Sequence, residues 1–105
     1  MQKNKVVAMI SQPMGGLSDE AIITNRAKAE ALLDSLGFDG VNTLFTDDCA
    51  DDEAKNRPLV SLAKSLEMMA KADIAIFCPG WEKARGCQIE YQAAKAYGIP
   101  CIALI

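Results

Sequence analysis

Apolar residues along this chain come in two kinds of pattern, short unbroken runs and longer stretches with helical spacing. Val6–Ile10 is a short continuous apolar run, which suits a strand buried on both faces. Ser11–Leu17 follows as a loop, marked by Pro13, Gly15 and Gly16. Ser18 reads as a helix cap, with Asp19 and Glu20 in the first turn. Ile22, Ile23, Ala27, Ala29, Ala31, Leu32 and Leu33 then supply one apolar helical face, and Gly37 stops it. Gly40–Leu44 is a weaker strand, and Thr46–Asn56 is an acidic, polar stretch that reads as a surface loop or a ragged helix. Pro58 opens a second helix, carried by Leu59, Leu62, Ala63, Leu66, Met69 and Ala70. Ala72–Phe77 is a second continuous run, interrupted by one charge at Asp73, which is expected to cap the second helix or the strand turn. Cys78–Glu82 is a Pro-Gly loop. A third helix runs from Arg85 to about Tyr97 and ends at Gly98, and Pro100–Ile105 forms the last strand.

The order is therefore βαβαβαβ, which predicts a parallel sheet with right-handed helical crossovers. The expected strand order is 2-1-3-4. The first helix then covers one face alone and the second and third cover the other. The partly bare face predicts a homodimer.

Length and composition narrow this picture. The chain has 105 residues, half of them hydrophobic, which fits one domain over 1–105 with a single core. The formal net charge of −3 argues against non-specific binding of polymeric nucleic acid or anionic membrane. No signal core or membrane span is expected, since the first apolar run is too short for either. The four cysteines form no CxxC pair and there is no histidine. No metal or cofactor is implied, and reduced thiols in a cytoplasmic setting are expected.

In an open parallel α/β sheet, ligands bind beyond the carboxyl ends of the strands, where the strand order reverses. The exit loops of the first and third strands, Ser11–Gly16 and Cys78–Gly86, flank that point. In the first, S-Q-P-M-G-G-L-S-D, Ser11 and Gln12 offer polar side chains, Met14 lies beside them, and Gly15 and Gly16 allow a close backbone approach. It is neither a Walker loop nor G-x-G-x-x-G. In the second, C-P-G-W-E-K-A-R-G-C-Q-I-E, Pro79 and Gly80 form the turn. Trp81 either stacks on a guest or caps the core. Lys83 and Arg85 flank a helix start, where an anionic guest or the acidic stretch would pair with them. Gly86 permits close approach. Glu90, four residues later, falls on the same side of the helix. It is either a solvated glutamate or a carboxylate able to attack a sugar carbon.

These motifs, together with A-x-x-Y-G-I-P-C near the end, resemble a family of small bacterial and phage proteins. That family is related to nucleoside 2-deoxyribosyltransferases and nucleotide N-glycosidases. The resemblance implies a flavodoxin-like fold, an oligomer, and Glu90 as a nucleophile that expels a base from the anomeric carbon. Ser11, Gln12, Gly15 and Gly16 would line one wall of the nucleoside or nucleotide site, and Pro79, Gly80 and Trp81 the other. The chain departs from the active transferases at Ala84, where they carry an acidic or hydroxyl residue. It also has Val7, Ala8 and Met9 in the region of their first-strand tyrosine. Three readings follow: cleavage or exchange at an N-glycosidic bond, a nucleotide-binding module without chemistry, and a structural domain.

Overall fold

A computed structural model describes residues 6–13, 15–41 and 53–104. Its four strands are β1 (Val7–Ser11), β2 (Asp39–Val41), β3 (Ile74–Phe77) and β4 (Cys101–Ala103). Its helices are α1 (Asp19–Leu36), α2 (Arg57–Met69) and α3 (Arg85–Ala96), with a single 3-10 turn at Trp81–Lys83. The strands form one all-parallel sheet in the order β2-β1-β3-β4, a flavodoxin/Rossmann-like α/β arrangement.

The helix boundaries follow from local chemistry. The Ser18 side chain accepts from the backbone N–H of Ala21 at 3.1 Å, and Gly37 closes α1 in the left-handed conformation at φ 73°. Asn56 caps α2 by accepting from the Leu59 N–H at 3.1 Å, with Pro58 in the first turn, where its missing N–H costs nothing. Strand β2 begins at Asp39, earlier than the apolar pattern suggests, because its pairing with β1 starts at Val7↔Asp39. The rest of the expected second strand, 42–44, lies outside the described residues, as does most of the acidic stretch and Met14. The Pro-Gly loop after β3 contains the 3-10 turn, which the sequence pattern did not reveal.

Two apolar layers sandwich the sheet. On one face Ala8, Ile10, Ile76 and Cys78 pack with Ala29 and Leu33 of α1. On the other Met9, Ala75 and Phe77 pack with Met69 of α2 and Cys87 and Ala94 of α3. Alternate residues of β1 and β3 thus serve opposite layers, as expected for strands buried on both sides. On the α1 side, Ile74, Ile102 and Leu104 are only partly buried. Asp73 does not cap α2. Its carboxylate accepts from the Val7 N–H at 2.9 Å, and its own N–H donates to the Val7 carbonyl, so it fastens the amino ends of β1 and β3 together.

Among the described residues, no helix is long and apolar enough to cross a membrane.

Candidate functional site

The register of the two central strands brings their exit loops together. Ser11 pairs with Phe77 at the carboxyl ends of β1 and β3, and the Cys78 N–H donates to the Ser11 carbonyl at 2.8 Å. A cleft of about 840 Å³ opens directly above, within the range of small-molecule sites. Its walls come from both exit loops, from the amino-terminal half of α2 and from the start of α3.

Glu90 forms part of this cleft and is only 7% exposed. The Ser11 hydroxyl donates to its Oε1. Ser65 of α2, which also lines the cleft, is a second hydroxyl partner. Burial pushes the Glu90 carboxyl above its ordinary value of 4.5, and the hydrogen bonds from Ser11 and Ser65 pull it partly back. Burial therefore dominates and favours the neutral acid, while the two hydroxyls favour the carboxylate. Cys87, one turn before Glu90, also meets the Ser11 hydroxyl. Its thiol is pushed up to about 12, chiefly by burial, so it stays protonated and is no nucleophile at neutral pH.

Of the other residues singled out from the sequence, Gln12, Gly15, Pro79, Gly80, Lys83, Arg85 and Gly86 line the same cleft. Ser11 lies beneath it, reached through Glu90. Gln12 is fastened at both ends of its amide. It accepts from Arg26 at 3.0 Å and donates to the Ile22 carbonyl at 3.0 Å, so it ties the first loop to α1. Gly16 is outside the cleft wall and takes a left-handed turn at φ 77°. Gly86 has ordinary helical geometry and no atom within 4 Å of where a Cβ would stand. Packing does not require a glycine there, and its missing side chain leaves room in the cleft.

Trp81 is redirected. Its indole stacks on Tyr91 at 4.5 Å between ring centroids and sits 5.5 Å from Phe77. It belongs to the apolar layer under α3 rather than to the cleft wall. The physical reason is the 3-10 turn, which starts at Trp81 and carries its ring back over the sheet.

Lys83 and Arg85 are exposed at the rim, and neither forms an ion pair with a described residue. Helix α3 starts at Arg85 with no acidic residue in its first turn and no side-chain cap from Ala84. Among the described residues, that end of the cleft therefore carries positive charge. The pairing of these cations with the acidic stretch falls on residues outside the described set.

The sequence reading missed α2 as a wall. Ser61 and Ser65 stand four residues apart among leucines and both line the cleft. This polar pair on an otherwise apolar helix face was the available signal.

The all-parallel sheet in the order β2-β1-β3-β4, with its helices, places the chain in the flavodoxin/Rossmann-like class of α/β domains. Within that class the chain belongs to the domain of unknown function DUF4406, whose family model it matches over residues 6–103. No curated protein and no solved structure matches it significantly.

Proposed function

We propose that this chain binds a nucleoside or nucleoside monophosphate in the cleft and cleaves its N-glycosidic bond, with Glu90 as nucleophile. The observation that carries this reading is the buried Glu90 carboxyl group in the cleft, held by the Ser11 hydroxyl from the neighbouring strand end. Held in this way, a carboxylate oxygen attacks the anomeric carbon and the carbon–nitrogen bond breaks. The base leaves with the electron pair and takes a proton. Water, or a second base, then attacks the same carbon and releases Glu90 from its glycosyl ester. The cations Lys83 and Arg85, with the free N–H groups opening α3, favour a phosphate on the guest.

A second reading is a nucleotide-binding module on the same cleft, without chemistry. The raised Glu90 carboxyl favours it, because a protonated acid is not a nucleophile. Ala84, which lines the cleft with no polar group to hold a sugar hydroxyl, favours it too. For the assembly, the partly buried Ile74, Ile102 and Leu104 suit a second copy of the chain, which sedimentation would reveal as a dimer.

The decisive experiment incubates the protein with deoxynucleosides and their monophosphates and follows free base by chromatography. Base release abolished by Glu90→Ala supports the enzyme. A ligand-induced rise in melting temperature without release supports the module. Neither release nor shift overturns both readings.

A further inference from the structure

Six large hydrophobic side chains of the described residues are exposed: Leu17, Ile23, Leu36, Leu59, Ile89 and Tyr97. Three of them, Leu17 at 40%, Leu59 at 59% and Ile89 at 43% exposure, line the one cleft above Glu90. Each comes from a different element: the loop after β1, the first turn of α2, and α3. A single exposed leucine needs no explanation, whereas apolar side chains gathered around one concave site mark a ligand or a partner.

No aromatic ring of the described residues lines this cleft. Trp81 and Tyr91 spend their ring faces on each other and on Phe77. Prolines are present instead. Pro13, Pro58 and Pro79, three of the four in the chain, line the cleft. Their rings present flat apolar surface that loses almost no side-chain entropy on contact.

We infer that the heterocyclic base of the guest is gripped by an aliphatic clasp of Leu17, Leu59 and Ile89. This rests on the nucleotide reading above and deepens it by assigning the base subsite. A base has two apolar faces and a polar edge. An aliphatic clasp takes the faces out of water, while the polar part of the cleft, Glu90 and Ser65 with Lys83 and Arg85 at its rim, is left to the sugar and phosphate. The cleft is large enough to hold base, sugar and phosphate together. The continuity of the clasp with that polar part is what favours a small amphipathic guest over a partner protein.

The test measures calorimetric binding of deoxyadenosine monophosphate and of deoxyribose 5-phosphate, which lacks the base. The proteins are the wild type, Leu59→Ser, Ile89→Ser and their double variant. Ile23→Ser, on the exposed side of α1 away from the cleft, is the control. The double variant is expected to bind the nucleotide about tenfold or more weakly, the scale of one large apolar side chain's burial. Its affinity for the sugar phosphate should stay within about twofold, and Ile23→Ser should change neither. All substitutions are at exposed positions, so circular dichroism should report an intact fold. Undiminished nucleotide binding in the folded double variant overturns the clasp alone. So does equal weakening of both ligands. A wild-type dimer dissociated by Leu59→Ser makes the rim a subunit contact and also overturns it. If the wild type binds neither ligand, the nucleotide reading falls and the clasp with it.

Discussion

The hydroxyl of Ser11, the last residue of β1, donates a hydrogen bond to the carboxylate of Glu90 in the second turn of α3. This bond joins the end of β1 to the one carboxyl group that the described residues bring to the cleft. It also lowers the proton affinity that burial raises in Glu90.

Replacing Ser11 by alanine removes that downward pull. The Glu90 carboxyl moves further up, and any base release that needs the ionised form shifts to higher pH. The loss of a buried hydrogen bond also costs about 1–2 kcal/mol of stability. A pH–rate profile and urea denaturation of Ser11→Ala check both. A profile that stays in place means Glu90 does not act as a carboxylate.

Glu90 itself should make stability depend on pH. Below its ordinary value of 4.5 the acid is protonated in both the folded and the unfolded chain. As pH rises past 4.5, the unfolded chain ionises first while the folded one holds its proton. Stability is therefore lost as pH climbs through the raised folded value. Glutamine cannot ionise, so Glu90→Gln should melt increasingly above the wild type as pH rises from about 4 to 8. A melting-temperature difference that is constant across this range contradicts the raised carboxyl.

Gly86 offers a trade between stability and binding. Alanine in the first turn of α3 meets no atom within 4 Å and gains up to about 1 kcal/mol of helix preference. The added methyl projects into the cleft. Gly86→Ala should thus be at least as stable as the wild type yet bind nucleotide more weakly. Equal affinity means the guest does not approach this helix turn closely.

Trp81 is the only tryptophan, so its emission reports one place. Packed on Tyr91 and Phe77, it should emit to the blue of a solvated indole and resist quenching by acrylamide. Trp81→Phe should leave nucleotide affinity unchanged, measured by calorimetry. Its indole N–H is buried without a partner among the described residues, so phenylalanine there removes an orphan donor as well as some area. A large loss of affinity returns this ring to the ligand.

Much of the fold was legible because few signals conflict. Ser18 and Gly37 bracket α1, Pro58 opens α2, and the runs ending at Ile10 and Phe77 contain only residues suited to a doubly buried strand. Strand alternation then fixes the switch point and therefore the two exit loops. The spacing from Gly86 to Glu90 put both on one side of α3, and both line the cleft. What escaped depends on packing across the chain. In a Pro-Gly loop Trp81 leaves stacking on a guest and capping the core both open, and only the 3-10 turn with its packing on Tyr91 of α3 turns it inward. Ser65 carries no motif, since its meaning arises only when α2 lies across α3. Asp73 looks like a cap because its partner Val7 is 66 residues away.

The same separation governs how the site comes into being. Ser11 and Glu90 are 79 residues apart, and parallel pairing can join them only after two crossover helices are laid down. Closing so long a loop carries an entropic cost, and the contact forms only once α3 is in place. During synthesis a chain that has emerged only through β3 has both central strands but not yet α3 and its Glu90. On the proposed reading, the ability to hold a guest is completed when α3 docks, and a nucleotide present at that moment would act as a clamp on the finished fold.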